Sequence, residues 1–121
     1  MIRASLIRLA LLVTFPLALR AQAPAKDIPK FQGGDLQKYW TDVCARCHGV
    51  NGNGRDNNGR SLPDAGFDFT DARKANRKKD ADWVKVLMDG KDKMPAFKEK
   101  LSPEDAQRMT TEILRKFAAR R

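Results

Sequence analysis

Both cysteines and the single histidine of this 121-residue chain fall within five consecutive positions, Cys44-Ala45-Arg46-Cys47-His48. One local element must therefore present two thiols and an imidazole together. A structural zinc site needs four ligands, and the chain has no second Cys/His pair to complete one. A thioredoxin-like redox pair also uses Cys-x-x-Cys, but in a strand-rich α/β setting that the rest of the sequence does not suggest. A plain disulfide beside an incidental histidine is the simplest remaining alternative.

The start of the chain bears on where such a site would be used. "MIRASLIRLALLVTFPLALRAQA" has Arg3 and Arg8 in a basic lead, an apolar run from Leu9 to Leu19, and the small-x-small ending Ala21-Gln22-Ala23. This is the pattern of a secretory signal over residues 1–23, with cuts after Ala21 or Ala25 also open. The apolar run is too short for a membrane span, which needs about 20 residues. No cysteine follows it to take a lipid. Export to the periplasm is expected, an oxidising compartment. Removing Arg3, Arg8 and Arg20 takes the formal charge from +9 to +6, still basic enough to favour acidic partners.

Beyond the leader, residues 24–34 ("PAKDIPKFQGG") are Pro- and Gly-punctuated and read as a flexible lead-in to a domain over 35–121. Asp35 is placed to cap a helix in which Leu36, Tyr39, Trp40, Val43 and Cys47 share a face, so this helix delivers the cysteine motif. From Gly49 to Phe69 the chain is rich in Gly, Asn and Asp without sustained period, a long loop that is unusual in so small a domain unless it wraps something. Residues 70–79 have the makings of one or two helical turns. Asp80 is expected to cap a second helix with Trp83, Val86 and Leu87 on one face, ending at Gly90. Ser102, Pro103 and Asp105 mark the start of a third, whose stripe is Ala106, Met109, Thr110, Ile113, Leu114 and Phe117. No strand-like alternation competes, so the fold class is all-α.

Two thiols separated by two residues at a helix end can reach the two vinyl groups of one porphyrin and form thioethers, while the adjoining imidazole is placed for the iron. Cys44-Ala45-Arg46-Cys47-His48 is therefore read as a covalent haem attachment site, with Cys44 and Cys47 holding the porphyrin, His48 as an axial ligand, and Ala45 and Arg46 as spacers. Met94, in "DGKDKMPAFKEK", is the candidate second ligand. A thioether is a soft, neutral donor, and Pro95 pushes the residue before it out of helical geometry into an extended loop. Met88 and Met109 lie within expected helices and fit core packing.

Helix, "CARCHG", long Gly-rich loop, "DGKDKMPAF" and a last amphipathic helix after "LSPED" together resemble a small bacterial class I monohaem cytochrome c over about Gly34 to Ala118. The resemblance implies the cytochrome c fold, one haem c with iron, and first and last helices crossing near the haem, with Trp40 meeting Ile113, Leu114 and Phe117. Trp40, Trp83 and Phe97 take haem-packing positions in it, and ordinary core packing is an equally good account of Trp83. Family members usually have a proline whose carbonyl accepts from the second nitrogen of the ligating histidine. Pro63 is the candidate, although Arg55 stands where many relatives have an earlier proline.

Iron with both axial positions filled by protein has no open site for substrate, so single-electron transfer between redox protein partners is the expected role, not catalysis. Lys91, Lys93, Lys98 and Lys100 flank Met94 and are candidates for a basic collar that steers acidic partners, with Asp89, Asp92 and Glu99 interleaved. A second basic run extends from Arg73 to Lys79. Nucleic acid is a poor partner for an exported chain, membrane contact is expected only through a partner complex or an uncleaved leader, and a monomer is expected. Two alternatives stand beside this: a fixed haem subunit of a larger dehydrogenase or oxidase, and an open-site haem protein with peroxidase or gas-binding activity.

Overall fold

In a computed structural model the chain is described over residues 27–119, so the leader, its cut site and the last two arginines lie outside the described residues. Asp35 is extended, and its carboxylate accepts from the amides of Gln37 (2.8 Å) and Lys38 (3.2 Å), which otherwise have no helical partner. Helix α1 follows as Leu36–Tyr39, a π turn at Trp40–Cys44, and Ala45–His48. The π turn is defined by the Ala45 amide donating to the carbonyl of Trp40, five residues back. Thr41 sits in this turn and donates Oγ1 to the Gln37 carbonyl at 3.0 Å, a side-chain bond of the kind that opens a helical ladder.

The π turn corrects the expected stripe. One extra residue in a turn rotates all that follows by roughly 100° relative to an unbroken helix. Leu36, Tyr39 and Trp40 are buried as the spacing requires, but Cys47 is exposed, whereas Cys44 and His48 are half-buried. The histidine is thus swung onto the core side and the second thiol out to solvent.

Helix α2 (Ala72–Asn76) is capped by Asp71, which accepts from the Lys74 amide at 3.1 Å. Helix α3 (Asp80–Asp89) begins at Asp80 itself, the residue expected as its cap. Lys79 is the extended residue before it, and its amide donates to Asp82 at 2.9 Å, leaving Asp80 free to pair with Arg115. Helix α4 comprises Pro103–Arg108, a second π turn at Met109–Leu114, and Arg115–Ala119. Ser102 Oγ accepts from the Asp105 amide at 3.0 Å, with Pro103 at the first helical position, as the sequence indicates. Thr110 and Thr111 back-bond to Ala106 and Gln107 in this second π turn, repeating the device of Thr41. All six residues of the anticipated stripe, Ala106 to Phe117, are buried. Among the described residues only isolated bridges interrupt the helices and loops, Arg55 with Ser61 and Lys91 with Met94, so the protein is all-α.

Helices α1, α2 and α3 all pack on α4. The Trp40 and Phe117 rings lie 5.0 Å apart where the first helix meets the last. The described part of the lead-in is not detached from this core. Phe31 is buried, its amide donates to the Lys100 carbonyl at 2.9 Å, and its ring lies 5.3 Å from that of Tyr39. The Tyr39 hydroxyl donates to the Pro29 carbonyl at 2.8 Å.

Burial, with a smaller contribution from Cys44, pushes the Tyr39 hydroxyl from 10.0 up to about 12. The folded chain holds this proton more tightly than the unfolded one, so the associated stability is intact below pH about 10 and is lost as pH rises towards about 12. Denaturant midpoints of Tyr39→Phe should show a loss of about 1 kcal/mol at neutral pH, from the missing bond to Pro29, and a flatter alkaline limb than the parent. An alkaline limb as steep as the parent's would show that Tyr39 is not its source.

Candidate functional site

The end of α1 leaves carbonyls without helical partners, and the loop that follows supplies donors to them. The Gly49 amide donates to Ala45 (2.9 Å), Gly66 to Cys47 (2.9 Å) and Gly54 to His48 (2.7 Å). Further bonds from Phe69 to Gly52 (2.8 Å) and Leu62 to Gly54 (2.9 Å) knit the loop to itself, and Trp40 Nε1 donates to the Val50 carbonyl at 3.2 Å. The segment from Gly49 to Phe69 is therefore a set of bonded turns wrapped on the cysteine motif, more ordered than its composition suggests.

His48 lies in a group of rings. Its centroid is 5.7 Å from Trp40 and 5.2 Å from Phe69; Phe69 in turn is 5.2 Å from Phe67 and 5.4 Å from Trp83. Burial holds the imidazole pKa below its ordinary value, with the Phe67 carbonyl opposing. That carbonyl is 3.4 Å from Nδ1. The carbonyl facing the second nitrogen thus belongs to Phe67 and not to Pro63, which is exposed on the preceding turn. Gly66 is the reason: it runs so close to the imidazole that a Cβ there would collide with Cε1 and Nδ1, and the chain meets the ring with the carbonyl just past it. Arg55 makes only local loop contacts, donating to Gly59 at 2.8 Å.

Burial, and then the neighbouring Cys47, pushes the Cys44 thiol from 9.0 up to about 12. Neither cysteine is in a disulfide. A redox-active pair needs a lowered thiol pKa, so this environment argues against the thioredoxin-like alternative. Among the described residues, no three His, Cys, Asp or Glu side chains are grouped to hold a metal ion by themselves.

Met94 sits on a separate, stiff turn. Lys91 and Met94 exchange backbone bonds in both directions (3.0 and 2.8 Å), with Asp92 at φ 51 between them. The chain then returns to the end of α3, where Phe97 donates to Leu87 (2.9 Å) and Lys98 to Met88 (3.2 Å). Gly90 has φ +75, and a Cβ there would lie 2.7 Å from the Met94 carbonyl oxygen and 2.8 Å from the Ala96 nitrogen, so only glycine allows the turn to close. Met94 is half-buried against the core, while Phe97 and Trp83 are fully inside it. Lys93 reaches from this turn to Asp64 at 2.7 Å, a bridge between exposed side chains.

These residues suit a covalently held haem. One thiol is half-buried and one is exposed on adjacent turns, an imidazole is oriented through one nitrogen, Gly66 leaves room at the ring, and a thioether is carried by a second element. The sequence does not single out Gly66, Phe67 or Phe69, and it marks Gly90 as a helix end but not as the residue that lets the Met94 turn close. The alternation Phe67-Asp68-Phe69 and the glycine before a charged, Met-bearing turn were the available signals.

Comparison with known proteins agrees with this geometry. Residues 32–111 match the family model described as cytochrome c oxidase, cbb3-type, subunit III. The solved structure of the KustC0563 c-type cytochrome superposes with a TM-score of 0.58 at 29% identity, covering 69% of this chain and 98% of that one. No curated protein matches the chain. With two thirds of its length inside the family model and a c-type cytochrome as structural neighbour, the chain belongs to the cbb3-type subunit III family of cytochrome c domains, with haem c and its iron as the cofactor.

Proposed function

We propose that the protein is an exported monohaem electron carrier in which Cys44 and Cys47 bind the porphyrin and His48 and Met94 are the axial ligands. The observation that carries this reading is that imidazole and thioether stand on two independently fixed elements: His48 on the bonded end of α1 and Met94 on the reciprocal Lys91–Met94 turn. When bound, the haem supplies a reversible one-electron change at iron, and His/Met ligation favours the ferrous state. The chain does the rest. With its proton on Nδ1, His48 donates to Phe67 and keeps Nε2 for the metal, the orientation a ligating histidine takes from a partner beyond the metal. Trp40, Phe67, Phe69 and Trp83 exclude water on the histidine side. The net positive charge favours acidic redox partners, and the chain acts as a monomer in the periplasm.

A second reading is favoured by one observation, the family's description as an oxidase subunit. In that case the same haem chemistry would operate with a permanent partner. Size exclusion of a native extract separates the two; co-elution with a large catalytic subunit would rule against a free shuttle.

Spectra of the protein made with haem-attachment machinery test the ligand set. The parent should carry haem that survives denaturation and, when reduced at neutral pH, should not react readily with carbon monoxide. Cys44→Ala and His48→Ala should lose most of the correctly attached haem. Met94→Ala should keep it but bind carbon monoxide rapidly. Rapid binding by the parent would overturn the closed site and favour peroxidase or gas-binding activity.

Gly90→Ala tests the turn without touching a ligand. The added Cβ meets backbone atoms of Met94 and Ala96 that have little room to move. We expect covalent haem content to be retained and carbon monoxide binding to approach that of Met94→Ala. A variant as closed as the parent would show that the Gly90 turn does not set the Met94 position.

A further inference from the structure

The four lysines near Met94 and the run from Arg73 to Lys79 are both basic in sequence, but they differ in the folded chain. From Asp89 to Lys100 four lysines share the surface with three carboxylates, and Lys93 is already paired with Asp64. From Ala72 to Lys79 there are five cations and no carboxylate. Arg73, Lys74, Arg77, Lys78 and Lys79 are all exposed, and only Lys74 has an ion-pair partner among the described residues, Asp71 at 3.5 Å.

This basic segment is also tied to the ring cluster. Ala75 is fully buried and seats α2 on α4. The Arg115 guanidinium donates to the carbonyls of Ala75 (3.0 Å) and Lys78 (2.6 Å), pairs with Asp80 (2.6 Å), and stacks 4.1 Å over the Trp83 ring. Trp83 touches Phe69, and Phe69 touches His48. A continuous line of contacts thus runs from the cationic surface to the histidine.

We propose that the exposed basic surface formed by Arg73 and Lys74 of α2 and by Arg77, Lys78 and Lys79 of the turn that follows it is the docking surface for the acidic face of a redox protein, a deepening that rests on the electron-carrier reading above. Charge complementarity selects the partner, since a concentrated patch without interleaved carboxylates gives the stronger steering field. A protein fits better than a lipid surface. A helix that lies in a membrane interface needs an apolar face to bury, and the exposed residues of α2 are all polar or charged, its one buried side chain being turned into the domain.

Two charge-matched triple variants of the haem-loaded protein test this, Arg73→Glu/Arg77→Glu/Lys78→Glu and Lys91→Glu/Lys98→Glu/Lys100→Glu, with poly-glutamate as the acidic protein probe at low ionic strength. Net charge changes equally in both. The α2 variant should lose on the order of tenfold in affinity, and the Met94-loop variant less than about threefold. Losses within about threefold of each other, a larger loss from the lysine set, or no binding by the parent would overturn the proposal. Phosphatidylglycerol vesicles provide the other arm: vesicle binding that outlasts poly-glutamate binding as salt is raised would overturn the choice of a protein partner. The haem spectrum and its reversible reduction are recorded on the same samples. An intact spectrum with equal losses removes only the patch, whereas absent covalent haem removes the carrier reading itself.

Discussion

The peptide carbonyls at the C-terminal end of α1 cannot be left buried without donors, and the way they are satisfied organises most of this molecule. The cysteine motif occupies that helix end, so any loop that satisfies Cys47 and His48 must be wrapped on the motif itself. Gly66 and Gly54 provide the amides, and both approach to hydrogen-bonding distance at 2.9 and 2.7 Å. Once Gly66 is bonded to Cys47, the next carbonyl, that of Phe67, falls beside His48 Nδ1, and Phe67 and Phe69 are carried into the ring cluster. The loop's length and glycine content follow from this requirement, because the chain has to turn back repeatedly within a few residues and pass an imidazole with no side chain between.

The π turn of α1 meets the same demand from the helix side. In an unbroken helix Cys47 would share the buried stripe with Leu36 and Trp40, and His48 would lie at its flank. The extra residue at Trp40–Cys44 places Cys44 and His48 inward and Cys47 outward. A regular helix gains hydrogen-bond geometry that this one gives up, and π turns persist mainly where a site needs the altered register. Threonine hydroxyls lessen the cost in both helices by bonding to carbonyls of the preceding turn.

Much of this was legible in the residues because short-range chemistry decides it. Asp35 and Ser102-Pro103 specify helix starts, the stripe from Ala106 to Phe117 specifies a core face, and Cys44, Cys47 and His48 can serve one cofactor together. What the sequence hid was set by groups that every residue has, or by partners far along the chain. The Phe67 carbonyl displaced Pro63 as the neighbour of His48 because of where Gly66 is pinned, which no side-chain pattern encodes. Asp80 looked like a helix cap because nothing local reveals Arg115, 35 residues away. Lys79 and Asp82 took over the cap instead. Thr41 and Thr110-Thr111, hydroxyls in otherwise regular helices, were the one local sign of the π turns.

The histidine side and the methionine side of the domain are each stiff, but they are joined unevenly. Within each, backbone bonds of about 3 Å fix the element that carries His48 or Met94. Between the Met94 turn and the Pro63 loop, the polar link is Lys93 to Asp64, an ion pair of largely exposed side chains. Such pairs contribute little, about 0 to 1 kcal/mol, and less in salt. Burial of Phe97 and Leu87 holds the turn to α3, not to the loop it faces. Under the proposed ligation, the thioethers at Cys44 and Cys47 and the bonds of His48 and Met94 to iron would tie the two sides together directly, adding to the indirect apolar link that Trp83 of α3 makes with Phe69 beside His48. A carrier that must exchange an electron with little rearrangement would benefit from that division, because each proposed ligand is positioned by its own element whether or not iron joins them.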